Sequence, residues 1–231
     1  MKIIGICSLF FYLKNRCPCG KCYSKSVVNN TYINMIQSIG AIPIIIPVIN
    51  NKLVLEKYIK MIDCLLICGN KLHPKKNIIP NDIDKTKLIQ DELHNRDTIL
   101  LDYCIKYKKK VIGICYGMEF INSYFNGSIY SDIVKQLKSN NHQKTNHNII
   151  LNKDSFFYKI INKEIINVNS FHEAGITKEL LSDKLISSSM SDDGIVESFE
   201  TENKLIFGFQ FHIELLKDKY IIIKKILNTV Y

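Results

Sequence analysis

The residues best suited to chemistry are Gly113-Ile114-Cys115-Tyr116-Gly117, which follow the apolar run Val111 to Ile114 and precede a helical pattern over Met118 to Phe125. Glycine on both sides permits a strand-to-helix turn tight enough to hold the central residue in a strained conformation and lift its side chain to the carboxyl edge of a sheet. The N-terminal end of the following helix favours an anion, so Cys115 is expected to act as a thiolate nucleophile. A buried cysteine in a tight turn would fit the same pentapeptide. A second group separates the two readings. Ile206 to Phe211 has the pattern of a strand and ends in His212-Ile213-Glu214. Alternate residues leaving a strand point the same way, so His212 can take the thiol proton while Glu214 holds the imidazole in the right tautomer. Cysteine, histidine and a carboxylate at strand ends suit acyl transfer.

Such residues need a sheet whose carboxyl edge they can share. Ile3 to Cys7, Ile42 to Ile46, Ile62 to Cys68 and Val111 to Ile114 are apolar runs without alternation, as in strands buried on both faces. Helical patterns separate them: Asn29 to Ile39, closed by Gly40, then Leu53 to Met61, and Lys85 to Tyr107. This half predicts a parallel sheet covered by helices. After Gly127 come the shorter segments Ile149 to Leu151, Ile165 to Val168, Leu185 to Ser189 and Ile195 to Phe199, with a hairpin turn at Asp193-Gly194, before a last helix over Leu215 to Val230. The expected fold class is α/β, flavodoxin-like, with a mostly parallel central sheet flanked by helices and additional antiparallel strands in the C-terminal half. Residues 1–231 are expected to form a single domain.

Composition agrees with that reading. In 231 residues, 46% are hydrophobic and 23% charged, the balance of a globular chain with one sizeable core. The net charge of +9 comes almost entirely from scattered lysines, since Arg16 and Arg96 are the only arginines; a solvated surface is expected, not a nucleic-acid reader. No apolar segment reaches the roughly 20 residues of a membrane helix, and Ile3 to Leu13 reads as a buried strand running into a loop. Eight cysteines in a chain of this length fit a reduced, cytoplasmic protein better than a disulfide scaffold. Cys17, Cys19 and Cys22 could supply most of a zinc site, but with no second cysteine pair the expectation is a reduced loop without tightly bound metal. Lys71, Lys75 and Lys76 form a small basic group that an anionic part of a substrate could use.

With these motifs in order along nearly the whole chain, the sequence resembles the class I glutamine amidotransferase-like proteins, and among them the γ-glutamyl-γ-aminobutyrate hydrolase branch, peptidase family C26. The resemblance rests on the cysteine elbow, on Phe207-Gly208-Phe209-Gln210-Phe211-His212-Ile213-Glu214, and on Gly40-Ala41-Ile42-Pro43, Cys68-Gly69-Asn70 with His73-Pro74, Arg96-Asp97, Asn126 to Tyr130, Val168-Asn169-Ser170-Phe171-His172 and Asp193 to Glu197. It implies Cys115 as nucleophile, His212 as base and Glu214 as its orienting partner. It also implies an oxyanion hole from the backbone N–H groups of Asn70 or Gly69 and of Tyr116, and a substrate pocket lined by Ser170, Phe171 and His172.

The departures from the family pattern bear on substrate choice. Asn70 replaces the second of two glycines, Tyr116 stands where arginine commonly follows the nucleophile, and Ile213 replaces a proline. Glu119 stands where the family carries a glutamine that holds the α-amino and α-carboxylate end of a glutamyl substrate. An ionised carboxylate accepts hydrogen bonds but donates none, so Glu119 favours an ammonium. The resemblance therefore implies a free-standing cysteine hydrolase of a γ-glutamyl amide acting through a thioester, with no metal or organic cofactor. Two alternatives remain open: a glutaminase subunit delivering ammonia to a separate synthase, and a non-catalytic binding protein on the same scaffold. A small γ-glutamyl molecule, a synthase or a second copy of the chain are the expected partners, with neither nucleic acid nor membrane among them.

Overall fold

The computed structural model describes residues 1–13, 23–74, 78–79 and 91–229. Cys17, Cys19, Cys22, Lys75 and Lys76 lie outside the described residues. In chain order, β1 (Ile3–Cys7), β2 (Leu9–Leu13) and β3 (Tyr23–Val27) precede α1 (Asn30–Ser38), β4 (Ile42–Ile46), α2 (Lys52–Met61) and β5 (Cys64–Ile67). Next come β6 (Ile78–Ile79), α3 (Asp91–Lys106), β7 (Lys110–Ile114), α4 (Tyr116–Tyr124), β8 (Ile129–Tyr130) and α5 (Ile133–Leu137). The remainder holds β9 (Gln143–Leu151), α6 (Phe156–Ile161), β10 (Ile165–Phe171), β11 (Ile186–Ser191), β12 (Val196–Glu200), β13 (Ile206–Phe209) and α7 (Tyr220–Asn228).

Nine strands form one mixed sheet in the order β10-β9-β11-β12-β13-β7-β5-β1-β4. From β13 to β4 every neighbouring pair is parallel; from β13 to β10 every pair is antiparallel. Numbered among themselves along the chain, the parallel strands run 2-1-3-4-5, the doubly wound order of flavodoxin-like sheets. The expected α/β class and its antiparallel C-terminal extension are both present. Alternate strand residues face opposite layers: Ile112 and Ile114 of β7 pack with Met35, Ile36, Ile222 and Ile226, whereas Val111 packs with Leu55, Leu100, Leu101 and Ile121. So α1 and α7 cover one face, and α2, α3 and α4 the other. Among the described residues no helix is long and apolar enough to cross a membrane.

Local signals account for the element ends. Asn29 caps α1 by accepting from the Thr31 N–H, and Gly40 takes φ 78 just past its end. Gly194 sits at φ 88 in the turn between β11 and β12. Two expectations need correction. The segment after β1 is no loop: Leu9–Leu13, rich in aromatic and branched residues, pairs antiparallel with Tyr23–Val27. The last helix begins at Tyr220, not Leu215, because short 3₁₀ turns at Ile213–Leu215 and Lys217–Lys219 come first, with the Tyr220 hydroxyl donating to the Glu214 carbonyl at 2.9 Å.

A buried ion pair ties α3 to the parallel strands beneath the cysteine elbow. Arg96 Nε donates to Asp97 Oδ1 at 2.8 Å, Arg96 Nη1 donates to the Ser8 carbonyl at 2.8 Å, and the Tyr116 hydroxyl stands 3.5 Å from Asp97 Oδ2. Both charged residues are fully buried. Removing one partner leaves the other charge without compensation in a dry interior. Arg96→Met should therefore cost about 3–5 kcal/mol, measured by urea denaturation; a loss below about 1 kcal/mol would show that the pair is not needed for the fold.

Candidate active site

Strands β13, β7 and β5 lie side by side with their carboxyl ends level, Phe209 opposite Ile114 and Ile67 opposite Gly113. Just past these ends come His212, Cys115 and Gly69. Cys115 occupies φ 51, ψ −109, a strained conformation for a residue with a side chain. It is held there from both sides: its N–H donates to the Phe209 carbonyl at 2.8 Å, and its carbonyl accepts the Glu119 N–H at 3.1 Å as the first bond of α4. The flanking glycines are dictated by space. A Cβ on Gly113 would lie 2.5 Å from the Gly117 backbone, and one on Gly117 only 2.2 Å from the Ile67 carbonyl oxygen.

A Cβ on Gly69 would meet His212 Cε1 at 2.8 Å and Cys115 Cβ at 3.4 Å, so cysteine and imidazole face each other across this glycine. His212 Nδ1 pairs with Glu214 Oε1 at 2.6 Å, leaving Nε2 for the cysteine side. The pair is seated by Asn169, whose Oδ1 accepts the His212 N–H at 2.8 Å and whose Nδ2 donates to the His212 carbonyl at 2.9 Å. Phe171 packs edge-on against the imidazole, ring centroids 5.9 Å apart. The Gly69 N–H already donates to the Tyr32 hydroxyl at 3.0 Å. Of the two candidates for that half of an oxyanion hole, this leaves Asn70.

The electrostatics differ from the expectation of a resting thiolate. Burial, reinforced by the Glu119 carboxylate, pushes the Cys115 thiol well above its ordinary range; the Tyr116 N–H works the other way but does not offset them. That direction favours the neutral thiol over the thiolate in the resting site.

Cys115 opens into a cleft of about 390 Å³ lined by Asn70, Lys71, His73, Glu119, Phe171 and His172, among others. Glu119 is buried in its wall, accepts from Gln210 Nε2 at 3.2 Å and stands 3.9 Å from His73 Nδ1. It therefore looks into the cleft beside Cys115, as its position one turn into α4 predicts. Phe171 and His172 line the cleft as expected. Ser170 is fully buried and donates to the His142 carbonyl at 2.8 Å, so it faces an inner polar network instead. Asn169, His73 and Gln210 stand in motifs that carry the family resemblance but had no role assigned from the sequence, because each reaches the site from a separate strand or loop.

Residues 2–214 match the model of the Peptidase C26 family, and the chain belongs to that family. It is 31% identical over 163 residues to Schizosaccharomyces pombe PB2B2.05, provisionally named a glutamine amidotransferase, covering 67% of this chain and 62% of that protein. It is 28% identical over 135 residues to the γ-glutamyl-CDP-amidate hydrolase of Campylobacter jejuni, covering 58% of this chain and 54% of the relative. The chain thus spans less than two thirds of the length of either. The fold is shared with the glutaminase domain of Trypanosoma brucei CTPS, solved with bound acivicin, at a TM-score of 0.68 and 12% identity over 100% of this chain and 96% of that one.

Asn169 offers a direct check on how His212 is held. Asn169→Ala leaves the half-buried His212 N–H without its Asn169 partner, while the His212 carbonyl keeps the Leu215 N–H at 3.1 Å, and stability in urea should fall by about 0.5–1.5 kcal/mol. An unchanged midpoint and slope would mean the clamp contributes nothing.

Proposed function

We propose that this peptidase C26 member hydrolyses a γ-glutamyl amide through a γ-glutamyl thioester on Cys115. The observation that carries the reading is the strained Cys115 at φ 51 facing a histidine whose far nitrogen is 2.6 Å from a buried carboxylate. Because the resting thiol is neutral, the reaction starts with proton transfer. His212 Nε2 takes the Cys115 proton as sulfur attacks the γ-carbonyl, and Glu214 stabilises the resulting imidazolium. The negative charge on the carbonyl oxygen meets the backbone N–H groups of Asn70 and Tyr116. His212 then gives its proton to the departing amine, and the C–N bond breaks to leave the thioester. Water, deprotonated by the same imidazole, attacks the thioester; glutamate leaves and the thiol is restored.

Glu119 bears on the substrate. Its carboxylate lies in the cleft wall, where it can accept from the α-ammonium of a glutamyl group but repels an α-carboxylate. Lys71, at the same cleft, supplies a cation for the carboxylate. A glutaminase that serves a separate synthase would use the same triad. Its distinguishing mark is efficient cleavage of glutamine itself, with stimulation by a partner.

Two measurements test this. Cys115→Ala should abolish glutamate release from a panel of γ-glutamyl amines and glutamine while the fold is kept, and His212→Ala should be nearly as severe, since the two act as one unit. Near wild-type turnover in Cys115→Ala would refute the assignment. Separately, Glu119→Gln should shift relative kcat/KM between substrates with free and blocked α-amino groups by roughly tenfold to a hundredfold, the worth of a charged hydrogen bond of about 1.5–3 kcal/mol. Unchanged ratios across that panel would mean that Glu119 does not read the substrate.

A further inference from the structure

Behind His172, away from Cys115, four Lewis bases converge. His142 precedes β9, His147 lies on β9, His172 follows β10 and Glu197 lies on β12. Glu197 Oε1 is 3.5 Å from His142 Nδ1, 3.4 Å from His147 Nε2 and 3.6 Å from His172 Nε2, and the two nitrogens of His142 and His172 are 3.2 Å apart. All four ligand atoms lie within 4.8 Å of one another. In a tetrahedral centre with bonds of about 2.0–2.1 Å, neighbouring ligands stand about 3.3–3.4 Å apart. Four of the six edges fall around that value.

The outward side of each imidazole is already committed. His142 Nε2 is 3.0 Å from Asp193 Oδ2, His172 Nδ1 is 2.8 Å from the Ala174 carbonyl, and His147 Nδ1 is 3.3 Å from the Asn148 carbonyl. A ring N–H pointing at each oxygen leaves a bare lone pair on each inward nitrogen, the tautomer and second-layer arrangement that metal-ligating histidines use. Three lone pairs would then face a carboxylate. Among the described residues neither oxygen of the fully buried Glu197 has a hydrogen-bond partner, nor does His147 Nε2, and the 3.4–3.6 Å separations are those of charges in proximity, not of well-formed hydrogen bonds. Such an arrangement is costly unless a positive charge, a metal ion or a proton on one imidazole, stands among these groups.

We infer that His142 Nδ1, His147 Nε2, His172 Nε2 and Glu197 Oε1 form a four-coordinate site for a zinc-type divalent ion. Three imidazoles and one carboxylate suit a borderline transition ion far better than calcium or magnesium, which take oxygen ligands. Four protein ligands close the tetrahedron, so the ion is a brace and not a water activator. It ties β9, β12 and the end of β10 together and fixes His172, whose ring forms one wall of the Cys115 cleft. Both nitrogens of His172 are then occupied, so its contribution to the cleft is shape. His147, whose side chain is 17% exposed, is the side from which the ion arrives.

The test is zinc binding by the full chain after chelator dialysis, read by competition with a chromophoric chelator. It is paired with a Cys17→Ser, Cys19→Ser, Cys22→Ser variant that removes the other thiol-rich candidate. One zinc per chain should bind, persist in the cysteine variant, and weaken by at least about 100-fold in His147→Ala. Cobalt(II) added to the wild-type chain should give the visible spectrum of a tetrahedral nitrogen and oxygen site without a thiolate charge-transfer band. This readout needs no ligand substitution and so holds even if a variant misfolds. No stoichiometric zinc binding, a thiolate band, or zinc lost from the cysteine variant but kept by His147→Ala would each overturn the assignment.

Discussion

The approach of α4 to strand β5 governs the rest of the site. Gly117 lies so near the Ile67 carbonyl that a single methyl group would sit 2.2 Å from its oxygen, and Gly113 is as closely packed against Gly117. With those contacts in place the chain between them has no relaxed route from β7 into α4. Cys115 takes up the difference at φ 51, secured by its hydrogen bond to Phe209 on the neighbouring strand. Because β13 runs parallel to β7 in matching register, the same contact sets the level at which His212 emerges.

Charge then shapes how the cysteine can react. Glu119 and Glu214 both raise the thiol pKa above what burial alone would do, so the thiolate is disfavoured until a proton acceptor and a polarised carbonyl are both at hand. In the proposed reaction this couples ionisation of Cys115 to substrate binding and keeps a buried nucleophile inert otherwise. The polar layer behind the cleft follows a similar logic. Asn169 holds the backbone of His212, while its strand neighbours Ser170 and His172 turn inwards to the histidine and glutamate cluster. One short strand thus serves the triad on one side and the cluster on the other.

Much of this was legible in the residues. The parallel half of the sheet follows from unbroken apolar runs such as Ile3 to Cys7 and Val111 to Ile114, and the elbow from two glycines around Cys115, because those signals act over a few neighbouring residues. The hairpin after β1 was not, since its apolar first strand pairs with Tyr23–Val27 across an intervening segment. Nor was the protonation of Cys115, which depends on total burial and on Glu119, Glu197 and Glu214 brought in from separate elements. His142 and His147 carry no motif that marks them; only the pairing of β9 with β10 and β11 places them beside His172 and Glu197. Local patterning revealed the strands and the cysteine elbow, whereas long-range register decided the electrostatics.

In the proposed reaction Cys115 carries the acyl group. Acid-quenching the protein during turnover of a γ-glutamyl amide, followed by peptide mapping by mass spectrometry, tests it most directly. A single γ-glutamyl adduct is expected on the peptide containing Cys115, labile to hydroxylamine as a thioester is. Steady glutamate release with no adduct there, or with the adduct on another cysteine, would contradict it.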